Sequence, residues 1–209
     1  MFSRCDYLIS FSLCVGFPFR SLPVVEWDGE MVGQSVNVAK FVARKVGVAG
    51  DNDVEMARSE AFVDFSIEMV ESESGDVRSM LIMFVMTFFL FPEYFETRFE
   101  KDAARKAALI ETLVNTALPN YLEVAEALLK GRGGKFATGN KLSLGDLAGF
   151  VLQDILRNVD EMASAGLADV QKSIVEKIEA SPLVDAQYST VKNDAKVAAY
   201  LAKRPAYGF

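Results

Sequence analysis

The sequence predicts a small α/β unit followed by an all-α region, and three observations support this fold class. Residues 24–27 are a short β-branched run that ends in Asp28-Gly29, a dipeptide that tolerates the positive φ angles of a tight hairpin turn. The apolar spacing then changes to a helical period. The stripe consists of Val38, Phe41, Val42 and Val46. The patterns that follow residue 53 are helical.

The hairpin is predicted to return through residues 30–33 and to lead into a first helix at Gln34-Ser35. Free amides and the helix dipole at such a junction attract anions. A Ser hydroxyl, a Gln side chain and these amides suit the carboxylate of a small ligand, although an ordinary capping serine is the alternative. The helix is predicted to end at Val46, with Gly47 as its C-cap.

Leu22-Pro23 opens the first strand. Proline lacks a backbone donor and adopts the cis form more readily than other residues. A cis bond would turn the backbone of Leu22 outward, where it could pair with an extended peptide. A trans proline at the start of a strand is the alternative.

Composition excludes several function classes. The net charge of −7 argues against nucleic-acid partners, which need basic surfaces. The absence of histidine excludes histidine bases, Ser-His-Asp triads and histidine-ligated metals. The two cysteines, Cys5 and Cys14, form no zinc or disulfide pattern, which fits a reducing cytoplasm. We therefore expect no metal site.

Two apolar runs raise the question of a membrane. The run from Tyr7 to Phe17 follows Arg4 and has the length of a signal-peptide core, but it also fits a buried strand. The run from Met80 to Phe91 is too short to span a bilayer, which takes about twenty residues. It fits a core helix, one edge of which could line a pocket for apolar ligands. We expect no membrane partner.

A polar turn at 48–53 is predicted to link two domains, residues 1–48 and 53–209. The second domain should contain helices over 55–71, over 103–131 with a break at Leu118-Pro119, from 143 through 156, and over 164–180, where Ser181-Pro182 closes the helix. The Gly131 to Gly134 loop lacks a phosphate-loop pattern and is interpreted as a helix terminator.

Two polar pairs stand out in this helical part. Asp64 and Glu68 lie one turn apart, so they could serve acid–base chemistry or bind a metal, although a solvated helix face is the simpler interpretation. Ser143 and Asp146 have the spacing of a capping box, whose role is folding and whose loss costs about 1 kcal/mol.

The stretch from Phe19 to Arg44 resembles the glutathione-binding core of a glutathione S-transferase, most closely the sigma class. The residues that match the family pattern are Pro18, Phe19, Leu22, Pro23, Val24, Glu26, Asp28, Gly29, Gln34, Ser35 and Ala43. Gly47-Val48-Ala49-Gly50 is similar to the family's linker, Ser143 and Asp146 to its capping device, and Lys203-Arg204-Pro205 to the sigma-class C-terminus.

This resemblance implies a thioredoxin-like N-terminal domain, here reduced, followed by an all-helical C-terminal domain. It implies a cis bond at Pro23, a glutathione contact from the backbone of Leu22 beside Ser21, and a γ-glutamyl carboxylate bound by Gln34 and Ser35. Arg20-Ser21 replaces the family's Gly-Gln, Asn37 its Ala and Lys40 its Arg. These departures leave the backbone contacts plausible and remove one side-chain amide.

The family's catalytic hydroxyl lies on a first strand well upstream, yet only 21 residues precede Leu22. That hydroxyl donates a hydrogen bond to the glutathione sulfur and favours the thiolate. If residues 7–11 are a remnant of the strand, Ser10 takes the catalytic position and Tyr7 is a second candidate. Alternatively, residues 1–17 are unrelated sequence.

The resemblance implies an enzyme that joins glutathione, its co-substrate, to small hydrophobic electrophiles in detoxification, or that isomerises prostaglandin endoperoxides as some sigma members do. It also implies a cytoplasmic homodimer, with helix 55–71 at the interface and Glu68 reaching the partner's glutathione. The alternative is a non-catalytic protein of the same fold that binds ligands or pairs with intact subunits.

Overall fold

The computed structural model describes Phe17, Phe19 and residues 23–71, 100–164 and 166–204. Within these ranges a two-stranded sheet and one helix are followed only by helices, which confirms the predicted α/β plus all-α fold class. The elements are β1 Val24–Trp27, β2 Glu30–Gly33, α1 Ser35–Val46, α2 Asp53–Glu71, α3 Ala103–Thr112, α4 Leu118–Gly131, α5 Leu144–Arg157, α6 Val159–Ser164, α7 Ala168–Glu179, α8 Pro182–Lys192 and α9 Ala195–Leu201.

The hairpin forms where the sequence predicts it. β1 and β2 are antiparallel, and Trp27 lies opposite Glu30 across the turn. Asp28 and Gly29 both have positive φ, 52° and 83°, as a two-residue hairpin turn of the favoured type requires. The Trp27 ring packs edge-on against Phe41 of α1 at 6.0 Å, so the hairpin and the helix form one small layer.

Helix α1 ends as predicted, and a short linker leads to α2. Gly47 adopts the left-handed conformation at φ 77°, and its N–H donates to the carbonyl of Ala43. Next along the linker, the carbonyl of Val48 accepts a 2.8 Å hydrogen bond from the N–H of Leu144. The linker is therefore bonded to the residue at which α5 begins.

The main hydrophobic core lies between the long helices. Helices α2 and α5 approach closely at Gly145, where an added Cβ would lie 2.9 Å from Cβ of Phe62 and 2.9 Å from the carbonyl oxygen of Ser59. Ser59 also accepts a hydrogen bond through Oγ from the Gly145 N–H at 3.1 Å. The largest fully buried side chains are Tyr121, Phe62, Leu113, Leu118, Leu129, Leu152, Leu156, Met162, Leu167, Ile174 and Ile178.

The predicted break at Leu118-Pro119 is wrong, because α3 and α4 are joined by a π-helical turn over 113–117. In this wider turn the N–H of Leu118 donates to the carbonyl of Leu113. Pro119 then falls in the first turn of α4, the part of a helix in which proline is best tolerated. The chain therefore passes the proline without leaving the helix.

The single helix predicted over 164–180 is also wrong at its start. The helix in this region, α7, begins only at Ala168, and Gly166, which lies between α6 and α7, has φ 74°, a conformation that a helix interior does not allow. Pro182 follows the end of α7 and is also the first residue of α8.

None of the helices in the described ranges combines the length and the apolar character needed to cross a bilayer. Most of the Tyr7 to Phe17 run and all of the Met80 to Phe91 run lie outside those ranges.

Candidate functional site

The hairpin register places three of the predicted site residues at one end of the small layer. Val24 of β1 pairs with Gly33 of β2, so the next residues outward, Pro23 and Gln34, are neighbours at the open end of the hairpin. Ser35 is the first residue of α1. The strand start and the helix start therefore lie side by side.

Gln34 holds an unusual backbone conformation at this junction. Its φ is 72° and its ψ is 122°, although it is not a glycine. Such a conformation costs on the order of 1–3 kcal/mol and persists only where the surroundings enforce it. Strain of this kind is typical of ligand-binding sites, and the Gln34 side chain is exposed.

The first turn of α1 has features that favour an anion. Gln34 is the N-cap residue but makes no side-chain capping bond, and no acidic residue lies in the first turn. Ser35 is half-buried, and Asn37 donates from Nδ2 to the Gly33 carbonyl at 3.2 Å. A carboxylate placed here could accept hydrogen bonds from first-turn amides and from the Ser35 hydroxyl.

Among the described side chains, two ion pairs join α1 to α2. Nζ of Lys40 donates to both carboxylate oxygens of Asp64, at 2.8 and 3.0 Å. One turn further along α1, Arg44 pairs with Glu60. Asp64 therefore pairs with a lysine of the neighbouring helix, a partner that the sequence did not predict for the Asp64 and Glu68 pair.

Ser143 and Asp146 form the capping box at the start of α5, and Asp146 has two further partners. It is fully buried and accepts from the N–H of Ser143 at 2.8 Å, the Ser143 hydroxyl at 2.7 Å, the N–H of Ala137 at 2.7 Å and Nε2 of Gln187 at 2.6 Å. Burial raises the pKa of Asp146, and these donors oppose the shift. The carboxylate thus joins α5, the preceding loop and α8.

A concave surface lies far along the chain from the α1 junction. It is an open groove of about 620 Å³ between α5, α7 and α8. Arg157 lies 4.6 Å above the Tyr188 ring and pairs with Asp185 at 2.5 Å, while Arg204 pairs with Asp154 at 2.9 Å. The groove contains none of the residues that the sequence assigns to a site.

Several predicted site residues fall outside the described part of the chain. Tyr7, Ser10, Ser21 and Leu22 lie there, as does one side of the peptide bond that precedes Pro23. The backbone of Glu68 lies in α2. Within the described ranges, no group of three or more potential metal ligands comes together.

The sequence did not predict the partners that Lys40 and Asp146 find on distant parts of the chain. Nothing local in the sequence pairs Lys40 with Asp64, or Asp146 with Ala137 and Gln187, because each pair is brought together only when the helices pack. The one sequence signal was the departure from the family pattern at Lys40.

Comparisons with known proteins point to one family. Residues 90–204 match the model of the family described as "Glutathione S-transferase, C-terminal domain". The chain is 29% identical over 192 residues to "Probable glutathione S-transferase 6" of Caenorhabditis elegans, covering 92% of this chain and 78% of the relative. It is 26% identical over 188 residues to "S-crystallin SL11" of Nototodarus sloanii, covering 90% and 75%.

Solved structures agree with this result. A prostaglandin synthase D of Nilaparvata lugens superposes with a TM-score of 0.63 at 26% identity and covers 94% of this chain and 80% of that one. A glutathione S-transferase of the hookworm Necator americanus, described as monomeric, shows the same fold at 20% identity with a TM-score of 0.65, covering 95% and 81%.

Proposed function

Because the chain belongs to the glutathione S-transferase family, we propose that it binds glutathione at the start of α1 and transfers it to small hydrophobic electrophiles. The observation that carries this proposal is the junction at Gln34 and Ser35. There a strained residue, an uncapped helix start and a half-buried hydroxyl lie beside Pro23 at the hairpin end. These groups suit the γ-glutamyl carboxylate of the tripeptide.

The remaining contacts of the proposal come from the family resemblance. The backbone of Leu22 pairs with the cysteinyl part of glutathione, next to Ser21 and a cis Pro23. A hydroxyl from Ser10 or Tyr7 donates a hydrogen bond to the sulfur and favours the thiolate. The thiolate then attacks the electrophile, a carbon–sulfur bond forms and the leaving group departs with its electron pair.

The finer assignments are also proposals. We place the chain nearest the sigma class, and its likeness to a prostaglandin synthase D supports a test of endoperoxide isomerisation besides detoxifying conjugation. We propose a cytoplasmic homodimer in which α2 forms much of the interface and Glu68 reaches the partner's glutathione. The domain division at residues 48–53 is supported by the linker that begins after Gly47.

Binding is tested first by isothermal titration of glutathione. Ser35→Ala should raise the dissociation constant at least about tenfold, because a hydrogen bond to a charged group is worth about 1.5–3 kcal/mol. Ser181→Ala is the control, since Ser181 lies at the start of another helix, α8, and makes no side-chain capping bond. Equal affinities for wild type and both variants would contradict the proposed carboxylate site.

Turnover is tested separately with a generic aromatic electrophile. Loss of conjugation in Ser10→Ala or in Tyr7→Phe, with glutathione still bound, would identify the residue that activates the thiol. Wild-type protein that neither binds glutathione nor conjugates it would overturn the proposal.

The second candidate function is that of a non-catalytic protein of the same fold, and one of the comparisons supports it. The relative from Nototodarus sloanii is named a crystallin rather than a transferase, at nearly the same identity and coverage as the first relative. In this case the protein binds ligands, or pairs with intact subunits, without turnover. Retention on immobilised glutathione in the absence of conjugation would support this candidate.

A further inference from the structure

We propose that the Lys40–Asp64 pair is a positioning element of the glutathione site, holding the start of α1 in place against α2. The proposal rests on the function proposed above. Lys40 would not touch glutathione; it would act through the backbone of the helix whose first turn binds the carboxylate.

The geometry of the pair supports this role. Both Asp64 oxygens accept from Nζ of Lys40, and the Lys40 side chain is only 18% exposed. The Asp64 side chain is 46% exposed, so the pair is half-buried, and salt screens it less than a fully exposed ion pair but more than a buried one. The contact therefore restrains α1 more than an exposed pair would.

The position of Lys40 along α1 also supports a positioning role. The helix begins at Ser35, so Lys40 lies in its second turn, between the ligand-binding end and Arg44. At the far end, Gly47 and the linker already tie α1 to the start of α5 through the Val48 carbonyl. Of the two ion pairs to α2, the one at Lys40 lies nearer the site.

Among the described residues, the start of α1 has no side-chain cap of its own. Gln34 holds a strained backbone, and its own side chain supplies no cap. A conformation of this kind requires support from the surrounding structure. The Asn37 bond to Gly33 ties the first turn to β2, and the Lys40 pair ties the next turn to the helical region.

The test compares Lys40→Met with Lys45→Met. Methionine keeps the apolar stem in both variants, and each removes one positive charge from α1. Within the described residues Lys45 has no carboxylate within salt-bridge distance and lies over the Trp27 and Phe41 rings, each centroid 5.3 Å away. Lys45 is exposed, and its replacement controls for the loss of one positive charge from α1 without loss of the ion pair.

Glutathione titration should give a dissociation constant about fivefold higher for Lys40→Met, the lower end of what coupled sites show. It should remain at the wild-type value for Lys45→Met. Hydrogen exchange of the α1 amides should speed up in Lys40→Met alone. The exchanged pair, Lys40→Asp with Asp64→Lys, should recover affinity relative to either single change.

Two contrary results can be told apart, because the wild type is measured first. If wild-type protein binds glutathione and Lys40→Met binds equally well, the positioning role is overturned and the proposed function stands. If the wild type does not bind glutathione, the proposed function is overturned and the positioning role falls with it.

Discussion

Replacing Asp146 should destabilise the fold more than any ordinary helix cap would. The carboxylate is fully buried and accepts from two backbone N–H groups, those of Ala137 and Ser143, and from the Gln187 amide. Asp146→Ala leaves these three donors without their acceptor. Each buried donor left unsatisfied costs about 1–3 kcal/mol, so the free energy of unfolding should fall by at least about 3 kcal/mol.

The assay is chemical denaturation followed by circular dichroism. Asp146→Asn keeps the shape but turns an amide toward donors, so it should also destabilise, by about 2 kcal/mol. Asp169→Ala is the control, because Asp169 lies in the first turn of α7 but is exposed, and such residues contribute about 0.3–1 kcal/mol. A loss below 1 kcal/mol for Asp146→Ala, similar to the control, would refute the reasoning.

Three further predictions follow from single residues. Gln34→Gly should raise the free energy of unfolding by up to about 1 kcal/mol, because glycine relieves the strain at φ 72°, yet it should weaken glutathione binding; denaturation and titration check both effects. Gly145→Ala should destabilise by about 1–3 kcal/mol in the same denaturation assay, because its Cβ would lie 2.9 Å from the Phe62 Cβ. Burial raises the pKa of Tyr121 well above its ordinary value of 10.0, so the stability it contributes is full below pH 10.0 and is lost as the pH rises through the raised value. Its tyrosinate absorbance, taken as the difference from Tyr121→Phe, should appear only with unfolding.

Features set by neighbouring residues were predictable from the sequence. Asp28-Gly29 determines the hairpin turn through its own backbone preferences, and Gly47 ends α1 for the same reason. The start of α1 at Ser35 follows from the change in apolar spacing. Each of these depends on interactions within a few residues, so periodicity and turn chemistry are sufficient.

Features that depend on packing were not predictable in this way. Pro119 should end a helix by local rules, but the π-helical turn before it removes the conflict. The partners of Asp146 and Lys40 lie on other elements, so their pairing depends on how those elements pack. At the candidate site the sequence predicted where Gln34 lies, but not the strain in its backbone.

The most direct test of the account records ¹H–¹⁵N correlation spectra during glutathione titration. If the tripeptide's carboxylate lies at the start of α1, the largest shifts among the described residues should come from the amides of Ser35 and Val36. The capping-box amides at the start of α5 should stay unchanged. Binding that shifts the amides of the groove between α5, α7 and α8, and leaves those of the first turn of α1 unchanged, would contradict the account.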